Sequence, residues 1–196
     1  MAQPSYIAED GTLTDGEAWV AIATTDLTSD AGSVTFTSDS TATGDWSQYL
    51  DLMMICHVRG TNASTAVGGY LRFNDDTGNN YNFLLLDVSA DAPRGYSEAS
   101  HTKAEAILAV PAGSSTANVF GAAVVHFADI NSGKDKVVLI RSACDQNNTT
   151  TFGSGSTVCQ WRNQAAITKI LAYPSSGNWK SDTRFDLYGI LPRMVS

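Results

Sequence analysis

The residues able to do chemistry are few and scattered. Three histidines, His57, His101 and His126, stand far apart in the chain. A catalytic or metal-ligating histidine needs convergent partners, and no sequence neighbour supplies them. They are expected to be structural or surface residues. Asp75, Asp76, Asn79 and Asn80 crowd around a single glycine. Side-chain oxygens on such a loop can coordinate Ca²⁺, which makes Asp75 and Asp76 the metal candidates. Their order departs from the D-x-[DN]-x-[DN]-G ladder, and Asp and Asn are equally the residues of tight turns. The turn reading is preferred and no cofactor is expected. The run Gly153-Ser154-Gly155-Ser156 lacks the G-x-S-x-G order of a reactive serine and reads as a loop. Cys56, Cys144 and Cys159 are an odd number for a disulfide framework. Buried thiols are the expectation, with a Cys144–Cys159 link across a hairpin left open. No nucleophile–base pair can be assembled, so an enzyme is not expected.

The aromatics offer more. Trp46 precedes a strand and Trp179 lies in a Gly/Ser/Asn-rich turn. A loop tryptophan can anchor an interface or stack on a sugar, and it can equally plug one end of a sandwich. Residues 1–16 read as a polar arm, within which Tyr6, Ile7 and Leu13 are spaced apolar residues able to order on docking. Tyr6, Ile7, Leu13, Trp46 and Trp179 are therefore the interface candidates.

Strand signals position all of these. Ser33–Ser38 alternates, and Leu50–Arg59 places Leu50, Leu52, Met54, Cys56 and Val58 on one face. Gly69–Asn74 and Tyr81–Val88 flank the Asp/Asn cluster and read as a hairpin. Trp19–Leu27, Lys103–Val110, Val119–Ile130, Lys136–Ala143, Val158–Arg162, Ala166–Tyr173 and Thr183–Ile190 complete about ten strands. Glu98–Leu108 is taken as a loop running into a strand, and Asp145–Ser156 as an exposed loop. The sum is an all-β chain, an antiparallel β-sandwich of jelly-roll-like type, with one domain over residues 17–196.

Composition sets limits. The 196 residues carry 43% hydrophobic and only 16% charged side chains, with a net charge of −8. Twelve Lys and Arg give no basic cluster, so nucleic-acid binding is not expected. No apolar run is long enough for a spanning helix, and the first residues do not read as a signal peptide.

Three segments carry a resemblance. Tyr70-Leu71-Arg72-Phe73-Asn74-Asp75-Asp76-Thr77-Gly78-Asn79-Asn80-Tyr81 is one. Cys159-Gln160-Trp161-Arg162-Asn163 with Ala166–Ile170 is another, and the closing Phe185-Asp186-Leu187-Tyr188-Gly189-Ile190 the third. Together they resemble small β-sandwich structural proteins of tailed, marine-type bacteriophages over roughly residues 35–190. The resemblance implies a virion protein made in the host cytoplasm, foremost a capsid decoration (cement) subunit. Its expected partner is the major capsid protein, and its expected state a homotrimer. The alternative it implies is a tail-fibre or receptor-binding module contacting host glycans. The arm and the last residues, 191–196, depart from the family pattern.

Overall fold

A computed structural model of the chain describes residues 18–89, 92–144 and 153–191. The arm candidates Tyr6, Ile7 and Leu13 lie outside the described residues. Twelve strands follow in order: β1 (Trp19–Asp26), β2 (Val34–Thr37), β3 (Asp51–Val58), β4 (Ala66–Phe73), β5 (Tyr81–Ser89), β6 (Ala92–His101), β7 (Ala104–Pro111), β8 (Gly121–Ala128), β9 (Lys136–Cys144), β10 (Gly153–Trp161), β11 (Lys169–Pro174) and β12 (Arg184–Ile190). One 3₁₀ turn at Trp46–Gln48 is the only helical element among the described residues. All pairings between strands are antiparallel.

The strands form an eight-stranded sheet, β1-β12-β3-β8-β9-β10-β5-β6, and a four-stranded sheet, β2-β11-β4-β7. The chain passes back and forth between them, which is jelly-roll wrapping. The small sheet and the β3, β8, β5, β6 series are the two halves of the roll. The β9–β10 hairpin is inserted between β8 and β5, and β12 and β1 extend the other edge. The all-β sandwich expected from the sequence is the fold observed.

Alternation drives this arrangement. Leu52, Met54, Cys56 and Val58 of β3, Ala123, Val125 and Phe127 of β8, and Val138 and Ile140 of β9 point inward and are buried. From the small sheet they meet Leu71 and Phe73 of β4, Ile107 and Val110 of β7 and Ile170 and Ala172 of β11. Two glycines answer to close approach. Gly69 leaves room for the Trp179 ring, and a Cβ at Gly189 would fall within 2.4 Å of Tyr49.

Several local readings are corrected. The segments flanking the Asp/Asn cluster are not a hairpin. β4 pairs with β11 and β7 in one sheet, while β5 pairs with β10 and β6 in the other. The turn between them is a crossover, entered through left-handed backbone at Asn74 (φ 49°) and Asp75 (φ 57°). Leu50 lies before β3 and is half exposed, while Arg59, read as outward-facing, is buried beyond its end. The Arg59 guanidinium donates to the carbonyls of Ala112, Ser115, Thr116 and Val119, so the β7–β8 connection folds around it. Strand β6 replaces the loop expected near Glu98. It is an edge strand whose residues 92–100 are exposed, so it needs no apolar alternation and tolerates Pro93. Gly153–Ser156 opens β10 rather than closing a loop, because it pairs on both sides, with β9 and β5. That hairpin sets Cys144 opposite Gly153 and Cys159 opposite Val138. Six residues of strand, about 20 Å, separate the two thiols, too far for a disulfide.

Trp179 shows how the ends close. Its backbone bridges Ala31 and Gly60, its indole N–H donates to the Ala172 carbonyl at 3.1 Å, and its ring meets Phe185 edge-on at 5.6 Å. Trp179→Ala is expected to cost about 3–5 kcal/mol of unfolding free energy. Urea titration would read this as a lowered midpoint at unchanged slope.

Candidate functional site

The groups that looked reactive in sequence are engaged in structural bonds. Asp76 is the clearest case. Its carboxylate accepts from the Trp161 indole N–H at 2.7 Å, from the Gly78 amide at 2.8 Å and from Asn80 Nδ2 at 2.9 Å. Burial pushes its pKa up, but these donors and Asn163 outweigh that and hold it below the ordinary 3.8. Asp75 pairs instead with Lys169 at 2.8 Å. The two carboxylates proposed as metal candidates thus serve the crossover turn and the neighbouring strand. Among the described residues, no group of three or more His, Cys, Asp or Glu side chains is placed to hold a metal ion.

The histidines do not converge. His101 bonds Glu98 on the edge strand β6, and His57 stacks on Phe120 with centroids 4.8 Å apart. His126 Nε2 lies 2.7 Å from an Asp51 oxygen, whose other oxygen accepts from the Asp129 amide. Cys56 and Cys159 are buried, and burial raises both thiols, that of Cys159 to about 12. A thiol so raised stays protonated and unreactive.

Of the interface candidates within the described residues, Trp46 is 1% and Trp179 0% exposed. Neither ring is presented to a partner by the folded chain: both are plugs. Trp46 seals the edge between β1 and β2 beside a cleft of about 240 Å³ that Phe36, Thr37 and Leu187 also line. Its indole N–H is buried without a hydrogen-bond partner among the described residues.

The surface that stands out was not singled out from the sequence. It is the outer face of the eight-stranded sheet. The register places outward residues in rows across the strands. One row runs Tyr188, Met53, His126, Leu139, Val158, Leu84. The next runs Asp186, Ile55, Val124, Arg141, Ser156, Leu86. Ile55, Val124, Val137, Leu139, Val158, Leu84, Leu86 and Val88 are all large apolar residues left open, Leu84 at 50%, Leu86 at 60% and Leu139 at 46%. Leu139, Val158 and Leu84 are direct cross-strand neighbours. Leu84, Leu86 and Val88 succeed one another along β5, so the patch is continuous. A scattered exposed leucine is ordinary, but a contiguous apolar patch of several hundred Å² marks an interaction surface. The signal was visible as Leu84-Leu85-Leu86 and Val137–Ile140, strands apolar on both faces.

Relief accompanies the apolar character. Ala122, Ala143 and Ser154, flanked by Val124 and Arg141, form a shallow hollow of about 260 Å³. Leu84, Leu86 and Val88 stand beside it as a ridge on β5. Leu86 leans over Gly95, where a Cβ would come within 2.9 Å of its methyl. Charge is sparse: among the described residues, Arg141 is the only Lys, Arg, Asp or Glu whose place in the strand alternation puts it on the outer face from β8 to β5.

No family model, no curated protein and no solved structure matches the chain.

Asp76 gives a test of the turn. Its lowered pKa contributes stability that is fully present above pH 3.8 and is lost as pH falls through the folded-state value. Asp76→Asn is expected to cost about 1–2 kcal/mol near neutrality, since charged acceptors make the stronger bonds. The gap between wild type and variant should narrow as pH drops below 3.8 in acid-titrated unfolding curves.

Proposed function

We propose that the chain is a non-enzymatic assembly subunit of a tailed-phage virion, serving on the head as a decoration (cement) protein. The observation that carries this reading is the open apolar face of the large sheet. A domain that leaves eight large apolar side chains exposed on one flat surface is built to be covered by protein. Two further points support it. The carboxylates, imidazoles and thiols that sequence singled out are committed to turns, sheet pairs and the core. A jelly roll with low charge and paired, wrapped sheets suits a durable shell component, as this architecture does in viral capsid domains.

In this reading the sandwich is the rigid body and residues 1–16 are the tether to the shell, with Tyr6, Ile7 and Leu13 as its anchors. The tail-fibre alternative relied on Trp46 and Trp179 as sugar platforms, and their burial leaves it without those rings.

Purified chain added to phage heads lacking it should bind them and raise their resistance to heating. Deleting residues 2–15 should spare the β-sheet circular dichroism spectrum and weaken head binding by at least about tenfold, because it removes all three anchoring side chains. Binding to host cells with no binding to heads would overturn the decoration reading.

A further inference from the structure

We infer that the outer face of the eight-stranded sheet is a self-association surface, occupied by the same face of a second copy of this chain around a two-fold axis. The inference concerns the chain by itself and does not depend on the virion reading.

The argument begins with relief. A two-fold interface is isologous, so one patch must carry both a projection and the recess that receives it. This face does. The ridge Leu84, Leu86, Val88 lies on β5 and the hollow at Ala122, Ala143 and Ser154 centres on β9, with β10 between them. An axis parallel to β10, midway between two facing sheets, carries the β5 of one copy over the β9 of the other. The levels agree as well as the spacing. Leu86 belongs to the row of Val124 and Arg141, and Val88 to the row of Ala122, Ala143 and Ser154. The axis therefore sets Val88 over the partner's Ala143 at the floor of the hollow and Leu86 over Arg141 at its wall, twice, while Ser156 and Val158 on β10 meet their own counterparts.

Size and charge agree. The overlap runs from β8 to β6, five strands of about eight residues, a footprint of roughly 24 Å by 27 Å or 650 Å² a side. Standard stable interfaces bury about 600–1,000 Å² a side. The chain carries −8 overall, yet the overlapping strip is nearly uncharged, so two copies meet there without bringing their acidic residues together. Arg141 lines the hollow, and an arginine stem can cover apolar surface while its charged head stays in water. The charged end of the sheet, with Arg184 bonded to Asp186, falls outside the overlap. The arm is the competing occupant within the chain, but residues 1–16 offer only Met1, Tyr6, Ile7 and Leu13 as large apolar groups against eight on the face. The pairing yields two copies, in place of the three expected from the family resemblance.

Sedimentation equilibrium of the full chain at about 10 µM should give twice the 20.8 kDa chain mass. Leu86→Arg, on the ridge, and Ala143→Glu, in the hollow, should each weaken pairing about a hundredfold or more. Both positions are exposed in the single chain, so circular dichroism and melting should stay near wild type. Mixing the two variants should restore the dimer. A mixed pair has one intact ridge–hollow contact, and the other sets the introduced Arg diagonally, one row away, from the introduced Glu. A monomeric or trimeric wild-type chain would overturn the inference, as would variants that pair normally or a mixture that stays monomeric. If Leu86→Arg fails to fold, Leu84→Lys serves as the ridge variant under the same criteria.

Discussion

The Asp76–Trp161 hydrogen bond sits where the two sheets are tied together, and much of the sandwich depends on it. Trp161 ends β10 in the large sheet, while Asp76 lies in the crossover that leaves β4 of the small one. Around this bond Phe73, Tyr81, Trp161 and Phe127 form one aromatic cluster, with ring centroids 5.6–6.4 Å apart. The Tyr81 hydroxyl accepts from the Phe73 amide, so the residues on either side of the turn are pinned to each other across the sheets. The turn must stay tight, the carboxylate must stay charged, and the indole must stay buried. Residues that resemble a calcium loop are thereby committed to closing a jelly roll.

Local alternation was legible in the sequence because it has a period of two and needs no knowledge of partners. The alternation of Ser33–Ser38 and the shared face of Leu52, Met54, Cys56 and Val58 match the burial observed. What failed was partner choice. The Asp/Asn turn is compatible with a hairpin or with a crossover, and only the burial of Phe73 and Tyr81 on facing sheets decides between them. Strand β6 was missed because an exposed edge strand has no inward face to pattern. Gly153–Ser156 was missed for a related reason. Small polar residues pair as well as any others once two strands flank them, and composition cannot announce the flanks.

The functional surface was hidden by the same logic. Leu84 and Leu86 fall within Tyr81–Val88, which the sequence marks only as a strand, and an apolar strand carries no sign of which side stays open. The four-stranded sheet covers only one face of its eight-stranded partner, so strands apolar on both sides leave one of those sides open. Tryptophans on loops drew attention as contact residues and proved to be plugs, while aliphatic residues inside regular strands form the broad exposed patch. The small sheet covers one face, and the nearly uncharged relief of the other, with Arg141 at its hollow, is the surface from which the two-fold pairing is inferred. The leucines that the fold leaves uncovered are what the assembly reading rests on.

The most direct measurement places a single nitroxide label at Ser156→Cys on β10, where the two-fold axis passes between copies. Ser156 is exposed, whereas the native Cys56, Cys144 and Cys159 are buried, so the label is selective. Paired copies should show strong dipolar coupling, with labels separated by little more than the roughly 10 Å between packed sheets. The coupling should vanish when Leu86→Arg is added. Labels that show no coupling up to the solubility limit, or coupling untouched by Leu86→Arg, would contradict the account.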